Sequence, residues 1–164
     1  MPVPPYAELH CLTHFTFLRG ASHPEELVAR AAELGLAGLA ITDRNSLAGV
    51  VRAHVAARGE QLRLIVGARL DFTDAPSVLC LPTDRAAYGR LSRLITLGRR
   101  RASKGECEIS RAALLDHGEG QMVIALPPEN LAPDGGFARH LAVLVHGFGA
   151  RCHLAAHHHL LGDD

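Results

Sequence analysis

The sequence predicts an α/β domain with a largely parallel sheet. Three observations carry this expectation. Short apolar segments alternate with segments of helical periodicity, the apolar runs lack the polar alternation of a strand covered on one side only, and helix-start and helix-stop residues fall between them.

Taken in order, Tyr6-Ala7-Glu8-Leu9-His10 follows prolines and runs into Cys11-Leu12-Thr13-His14-Phe15, a first strand with a loop at its carboxyl end. Ser22-His23-Pro24-Glu25 reads as a helix start, with Ser22 as N-cap and Glu25 completing a capping box. Leu27, Val28, Ala31, Ala32 and Leu34 then make one apolar face, and Gly35 stops the helix. Gly38 to Asp43 is a second strand ending in polar residues, and 47–57 carries helical spacing through Leu47, Val50, Val51, His54 and Val55. Leu62 to Leu70 and Ser77 to Leu81 are the next two strands. Asp84 caps a helix bearing Tyr88, Leu91, Leu94 and Ile95. A basic loop, a short helix near Ser110 to Leu115, a strand at Gln121 to Ala125, a turn at Pro127-Pro128, a helix from Gly136 to His146 and a strand around Cys152 to Ala156 complete the chain. In α/β architectures reactive side chains gather on loops at the strands' carboxyl ends, which singles out residues 10–20, 43–45 and 67–69.

Composition narrows the function. The 164 residues form one domain, 1–164, with 17 Lys+Arg against 17 Asp+Glu, a balance that argues against a protein whose main task is to coat phosphate backbones. No apolar run reaches the roughly 18–20 residues a membrane span needs, so no membrane partner and a cytoplasmic location are expected. The four cysteines contain no C-x-x-C pair and read as reduced, mostly buried thiols. Histidine is abundant at eleven residues, which raises the question of metal, and Lys104 is the only lysine.

At the singled-out loops the sequence resembles the polymerase-and-histidinol-phosphatase (PHP) domain that opens bacterial C-family DNA polymerases, in particular the error-prone, damage-inducible branch. The resemblance is carried by Tyr6 to Cys11, Phe15-Thr16-Phe17-Leu18 with Gly20-Ala21-Ser22, Leu39-Ala40-Ile41-Thr42-Asp43, Leu47 to Val51, Ile65-Val66-Gly67-Ala68 and Tyr88 to Thr96, and is looser after about the first hundred residues. It implies a PHP-like (βα)7 barrel, of which this chain corresponds to the front portion. It also implies a parent enzyme, a nucleotidyltransferase of DNA replication and repair performing translesion synthesis, whose magnesium-bearing carboxylates lie outside these residues. The partners implied are the rest of the polymerase, DNA, the sliding clamp and mutagenesis accessory proteins.

Metal-dependent members of the family use a His-x-His pair, an acidic or histidine ligand before the loop glycine, a histidine after Thr-Asp and a glutamate after Gly-Ala. In this sequence His10 has Leu12 as its i+2 partner, Arg19 precedes Gly20, Arg44 follows Asp43 and Arg69 follows Gly67-Ala68. Arginine stays cationic and offers no lone pair. At about 4 Å and an effective dielectric near 20, a guanidinium repels a divalent ion by roughly 8 kcal/mol. The expectation is a degenerate, metal-free site with no catalytic residue, in which one arginine pairs with Asp43 or Glu8.

Other features have plain readings beside functional ones. His10 is either a residual ligand or a hydrogen-bonded structural histidine, and Asp43 either a former ligand or a helix cap or arginine partner. His157-His158-His159 alternate faces if extended and cannot converge on one ion, so they read as exposed chain-end residues. Arg99-Arg100-Arg101 with Lys104 is the one basic cluster, either a solvated helix end favoured by the dipole or a contact for nucleic-acid phosphate. A nucleophile built on Cys11 near His10 or His14 is the weakest idea, because neighbours in sequence do not make a dyad. The competing function is a free-standing PHP-type phosphoesterase with zinc or manganese. A third reading is a small interaction module.

Overall fold

The computed structural model of the protein describes residues 4–128 and 135–156, which leaves His157 to His159 outside the described residues. The described part contains strands β1 (Ala7–Cys11), β2 (Gly38–Ile41), β3 (Leu64–Val66), β4 (Ala68–Leu70), β5 (Val78–Pro82), β6 (Gln121–Ala125) and β7 (Cys152–Leu154). Between them lie helices α1 (Pro24–Glu33), α2 (Val50–Gly59), α3 (Arg85–Arg101), α4 (Arg111–Asp116) and α5 (Gly136–Phe148). None of these helices is long and apolar enough to cross a membrane.

The α/β expectation holds, but the sheet is parallel only in part. β1, β2 and β3 form a parallel sheet in that order, whereas β4-β5-β6-β7 is mixed: β5 is antiparallel to both β4 and β6, and only β6 and β7 run parallel. Seven residues separate β4 from β5, too few for the helical crossover that a parallel pair requires.

The stretch expected as one strand from Leu62 to Leu70 is two, broken at Gly67. A Cβ on Gly67 would collide with Leu81 Cδ2 and lie 3.0 Å from the Cys80 carbonyl oxygen, so the chain bends there with β5 packed directly against it. The two sheets stay joined at this point. Arg44, just past β2, makes an isolated parallel bridge to Arg69 on β4, with the Asn45 N–H donating to the Arg69 carbonyl at 2.8 Å.

Alternate residues of the strands divide between cores. Leu39 and Ile41 of β2 pack with Val28 and Ala31 of α1 and Ala53 and Ala57 of α2, while Ala40 between them faces Leu79, Leu81, Ile124 and Leu126. Val78 and Cys80 of β5 and Val123 and Ala125 of β6 face the other way, onto Leu91, Leu94 and Ile95 of α3 and Leu144 and Phe148 of α5. The period-2 geometry of a strand thus feeds two helix-covered layers and one inner layer. This explains why β2 and β5 are apolar throughout: each is covered on both faces.

Helix boundaries shift by small, explicable amounts. The N-cap of α1 is His23 rather than Ser22, and its backbone N–H donates to Glu26 Oε2 at 2.7 Å, so the box closes on Glu26 and not on Glu25. Pro24 occupies the first helical position, where its fixed φ fits and its missing N–H costs nothing, and this places the cap immediately before it. Helix α2 begins at Val50, because 47–49 form a turn in which Ala48 N–H bonds Ser46 Oγ at 3.1 Å. The Asp84 carboxylate caps α3 by accepting from Ala87 N–H at 2.7 Å. That helix runs on through Arg101, so the expected basic loop is its last turn.

Two glycines of α3 make the packing testable. A Cβ on Gly98 would meet Ile109 Cγ1 at 2.6 Å and Cys107 Sγ at 2.9 Å, whereas at Gly89 it would meet nothing within 4 Å. Gly98→Ala is expected to lower unfolding free energy by about 1–3 kcal/mol. Gly89→Ala, in the same helix, is expected to raise it by about 0.5–1 kcal/mol. Urea denaturation of both variants checks the pair, and equal signs would contradict this account.

Candidate functional site

The loops at the ends of β1, β2 and β4 converge around two carboxylates, Asp43 and Asp71. Asp43 is 1% exposed, and a buried carboxylate needs donors. It finds them on the β1–α1 loop. The Thr13 N–H donates to Oδ1 at 2.8 Å, the Thr13 hydroxyl lies 2.8 Å from Oδ2 and 3.0 Å from Oδ1, and the Thr16 hydroxyl donates to Oδ1 at 2.7 Å. Thr16 Oγ1 also accepts the Arg44 N–H at 3.0 Å. A Cβ on Gly49 would lie 2.7 Å from Asp43 Oδ2, so the turn before α2 closes over the same carboxylate. Asp43 therefore neither caps the following helix, whose N-cap is Gly49, nor pairs with an arginine: threonines hold it.

The arginines gather on Asp71 instead. Arg44 Nε lies 2.6 Å from Asp71 Oδ2, Arg69 Nε 2.8 Å from Oδ1, and the Ser77 hydroxyl donates to Oδ1 at 2.7 Å. The expected pairing with Asp43 or Glu8 is thus corrected, since Glu8 accepts from the Tyr6 hydroxyl at 2.9 Å and from the His10 N–H at 2.7 Å. Residues i and i+2 of an extended segment share a face, and this places Arg69 beside Asp71. Asn45 is bound to the same unit: its Oδ1 accepts the Asp71 N–H at 3.0 Å, and its carbonyl accepts from Arg99 Nη2 at 2.9 Å.

The remaining candidates lie around this centre. His10 falls within a β-bulge, where three steps of β1 oppose two of β2 between Glu8 and Cys11. Leu12 is half-buried, and Arg19 is exposed with its N–H bonded to the Thr16 carbonyl at 3.1 Å. His14 packs its ring 4.3 Å from that of His23. Burial, with Glu8 and Asp43 adding to it, pushes the Cys11 thiol up to about 11, so it stays protonated at neutral pH and is a poor nucleophile. Among the described residues no three His, Cys, Asp or Glu side chains form a group that could hold a metal ion. Arg99, Arg100, Arg101 and Lys104 are all exposed at and beyond the end of α3, and of the four Arg99 reaches the centre through its bond to the Asn45 carbonyl.

Burial would raise the Asp71 carboxyl, but hydrogen bonds from Arg69 and Ser77 and the charges of Arg69 and Arg44 outweigh it and hold the carboxyl below its ordinary value. A depressed carboxylate contributes stability that is fully present above its unfolded pKa of about 4 and is lost as pH falls through the folded value. Asp71→Asn is expected to cost about 2 kcal/mol at neutral pH and to flatten the acid limb of the stability profile below about pH 4. Urea denaturation across that range checks this, and an acid limb identical to that of the parent would contradict it.

Comparison with known proteins places this arrangement. Residues 8–155 match the family described as PHP domain. The chain is 53% identical over 157 residues to an error-prone DNA polymerase of Caulobacter vibrioides, covering 95% of this chain and 14% of that protein. It is 48% identical over 159 residues to an error-prone DNA polymerase of Methylococcus capsulatus, covering 97% of this chain and 15% of that protein. It thus spans only a small fraction of the length of these relatives. In fold, it is similar to a putative metal-dependent phosphoesterase from Bifidobacterium adolescentis, with a TM-score of 0.63 at 18% identity, covering 87% of this chain and 76% of that one. With the family match spanning residues 8–155 and identity of 53% over 95% of the chain, the protein is a member of the PHP domain family.

Proposed function

We propose that this chain is the PHP domain of an error-prone C-family DNA polymerase acting in damage-induced translesion synthesis, with a vestigial metal site and a structural role. The observation that carries the reading is the convergence of Arg44 and Arg69 on Asp71 at 2.6 and 2.8 Å, beside an Asp43 whose oxygens both accept from threonines. Two fixed guanidinium groups and a carboxylate already engaged by hydroxyls do not fit a divalent cation, which needs free lone pairs and repels positive charge. The arginines and threonines bind the loops to each other, a role that needs no metal and no proton transfer.

On this reading nucleotide addition, with its magnesium-bearing carboxylates, belongs to other domains of the parent. The domain packs against the polymerase body, and the clamp, mutagenesis accessory proteins and DNA are met through that parent. The names of the relatives support the assignment to an error-prone polymerase. The fold likeness to a metal-dependent phosphoesterase keeps a hydrolytic reading as the competitor.

Elemental analysis of extensively dialysed protein should find well under one equivalent of zinc or manganese, and the chain alone should not extend a primer. Stoichiometric metal, together with chelator-sensitive hydrolysis of a phosphomonoester that His10→Ala abolishes, would establish the competitor.

A further inference from the structure

At the opposite end of β2 from Asp43, the turn from α2 into β3 leaves an open groove of about 380 Å³. Its floor is apolar, made by Ala57, Leu62 and Leu64, and its rim carries His54, Arg58 and Arg63. The backbone around it is fixed by short bonds. The Leu62 N–H donates to the Ala57 carbonyl at 3.0 Å and the Glu60 N–H to the Ala56 carbonyl at 3.1 Å, which closes the end of α2. The Leu39 N–H donates to the Arg63 carbonyl at 3.0 Å and ties Arg63 to the start of β2. His54 and Arg58, four residues apart, share one face of the helix.

The rim is cationic and uncompensated. No acidic side chain lines the groove. Among the described residues no ion pair joins Arg58 or Arg63 to an acid, whereas Arg30, Arg44, Arg52, Arg69 and Arg90 each have one. Arg58 complements the dipole in the last turn of α2, but Arg63 lies past the helix and His54 before that turn, so the dipole does not account for the cluster. Gln61, on the groove's edge, has a φ of 54°, in the left-handed region where a helix ordinarily ends in glycine. Glycine there would relieve the strain and remove the only side-chain amide lining the groove.

The lining defines its complement. Guanidinium groups form charge-assisted bonds with carboxylates, the apolar floor between them accepts an aliphatic side chain, and an amide both donates to and accepts from a peptide unit. No aromatic ring lines the groove, so a nucleic-acid base finds no stacking surface there. We propose that this groove docks a short acidic segment of a partner protein. A leucine-type side chain of that segment sits on Ala57, Leu62 and Leu64, flanking carboxylates meet Arg58 and Arg63, and a backbone peptide group bonds the Gln61 amide. The site is separate from Asp43 and Asp71, so it stands whether or not the loops there hold a metal.

The test is fluorescence anisotropy of a labelled Asp-Glu-Leu-Leu-Glu-Asp peptide titrated with the full chain, beside an Asp-Glu-Ser-Ser-Glu-Asp peptide of equal charge. The leucine peptide should bind about tenfold more tightly than the serine peptide. Arg58→Gln and Arg63→Gln should each weaken its binding about fivefold to tenfold. Arg93→Gln removes the same charge from an exposed side chain of α3 and should change affinity less than about twofold. Gln61→Gly separates recognition from folding: it should raise the urea midpoint, because the strained φ is relieved, yet weaken peptide binding about threefold. No saturable binding of the leucine peptide up to millimolar concentration, or equal binding of the serine peptide, would overturn the groove as a docking site. Equal losses for Arg93→Gln and Arg58→Gln would reduce the effect to general electrostatics and overturn it as well. A thymidine oligonucleotide that displaces the peptide at lower concentration than the unlabelled peptide does would overturn the protein partner in favour of nucleic acid. A Gln61→Gly variant that is stabilised and binds as tightly as the parent would overturn the contact assigned to the amide.

Discussion

The strand ends are held together by a buried carboxylate that must be satisfied. Asp43 is removed from water at the end of β2, and an unpartnered carboxylate there would cost several kcal/mol. Its acceptor sites are filled by Thr13 and Thr16, about thirty residues earlier in the chain. The bonds are reciprocal in effect: they neutralise the cost of burying Asp43, and they give the β1–α1 loop one conformation. Gly49 extends the constraint to the start of α2, since only a residue without a Cβ fits against the Asp43 oxygens without displacement. Three segments are thereby locked to one side chain.

The second carboxylate, Asp71, organises what surrounds the first. It takes up charge from Arg44 and Arg69, and with Asn45 it stitches the end of β2 to β4 where the two sheets meet. At this end of the fold the two carboxylates thus differ in their donors: Asp71 takes guanidinium groups, whereas the Asp43 oxygens accept from threonines.

Much of this was legible in the chain, though unevenly. The order of elements follows from apolar runs and helical spacing, and β6 occupies the residues its pattern predicts, because turns flank it on both sides. The positions where the family's metal ligands would stand are visible in the sequence as Leu12, Arg19, Arg44 and Arg69. The start of α1 lies one residue beyond the capping pattern at Ser22, where Pro24 sets it. The partners of Asp43 were not visible: Thr13 and Thr16 obey no spacing that points thirty residues ahead. Asp71 carried a weak signal, two residues after Arg69 in an extended segment, but nothing local shows that Arg44 would join it. The Arg99 run was recognised as basic, yet only the fold separates Arg99, bonded to Asn45, from Arg100 and Arg101 beside it.

Sequence by itself determined the class of the fold, the strands covered on both faces and the chemical types at the candidate site, because these depend on period, composition and identity at short range. Tertiary structure decided which charges meet, where the sheet changes from parallel to mixed, and that one strand becomes two at Gly67. Those outcomes depend on distances between segments remote in the chain. Such distances are set by packing and by the need to satisfy every buried polar group at once, and no local pattern encodes them.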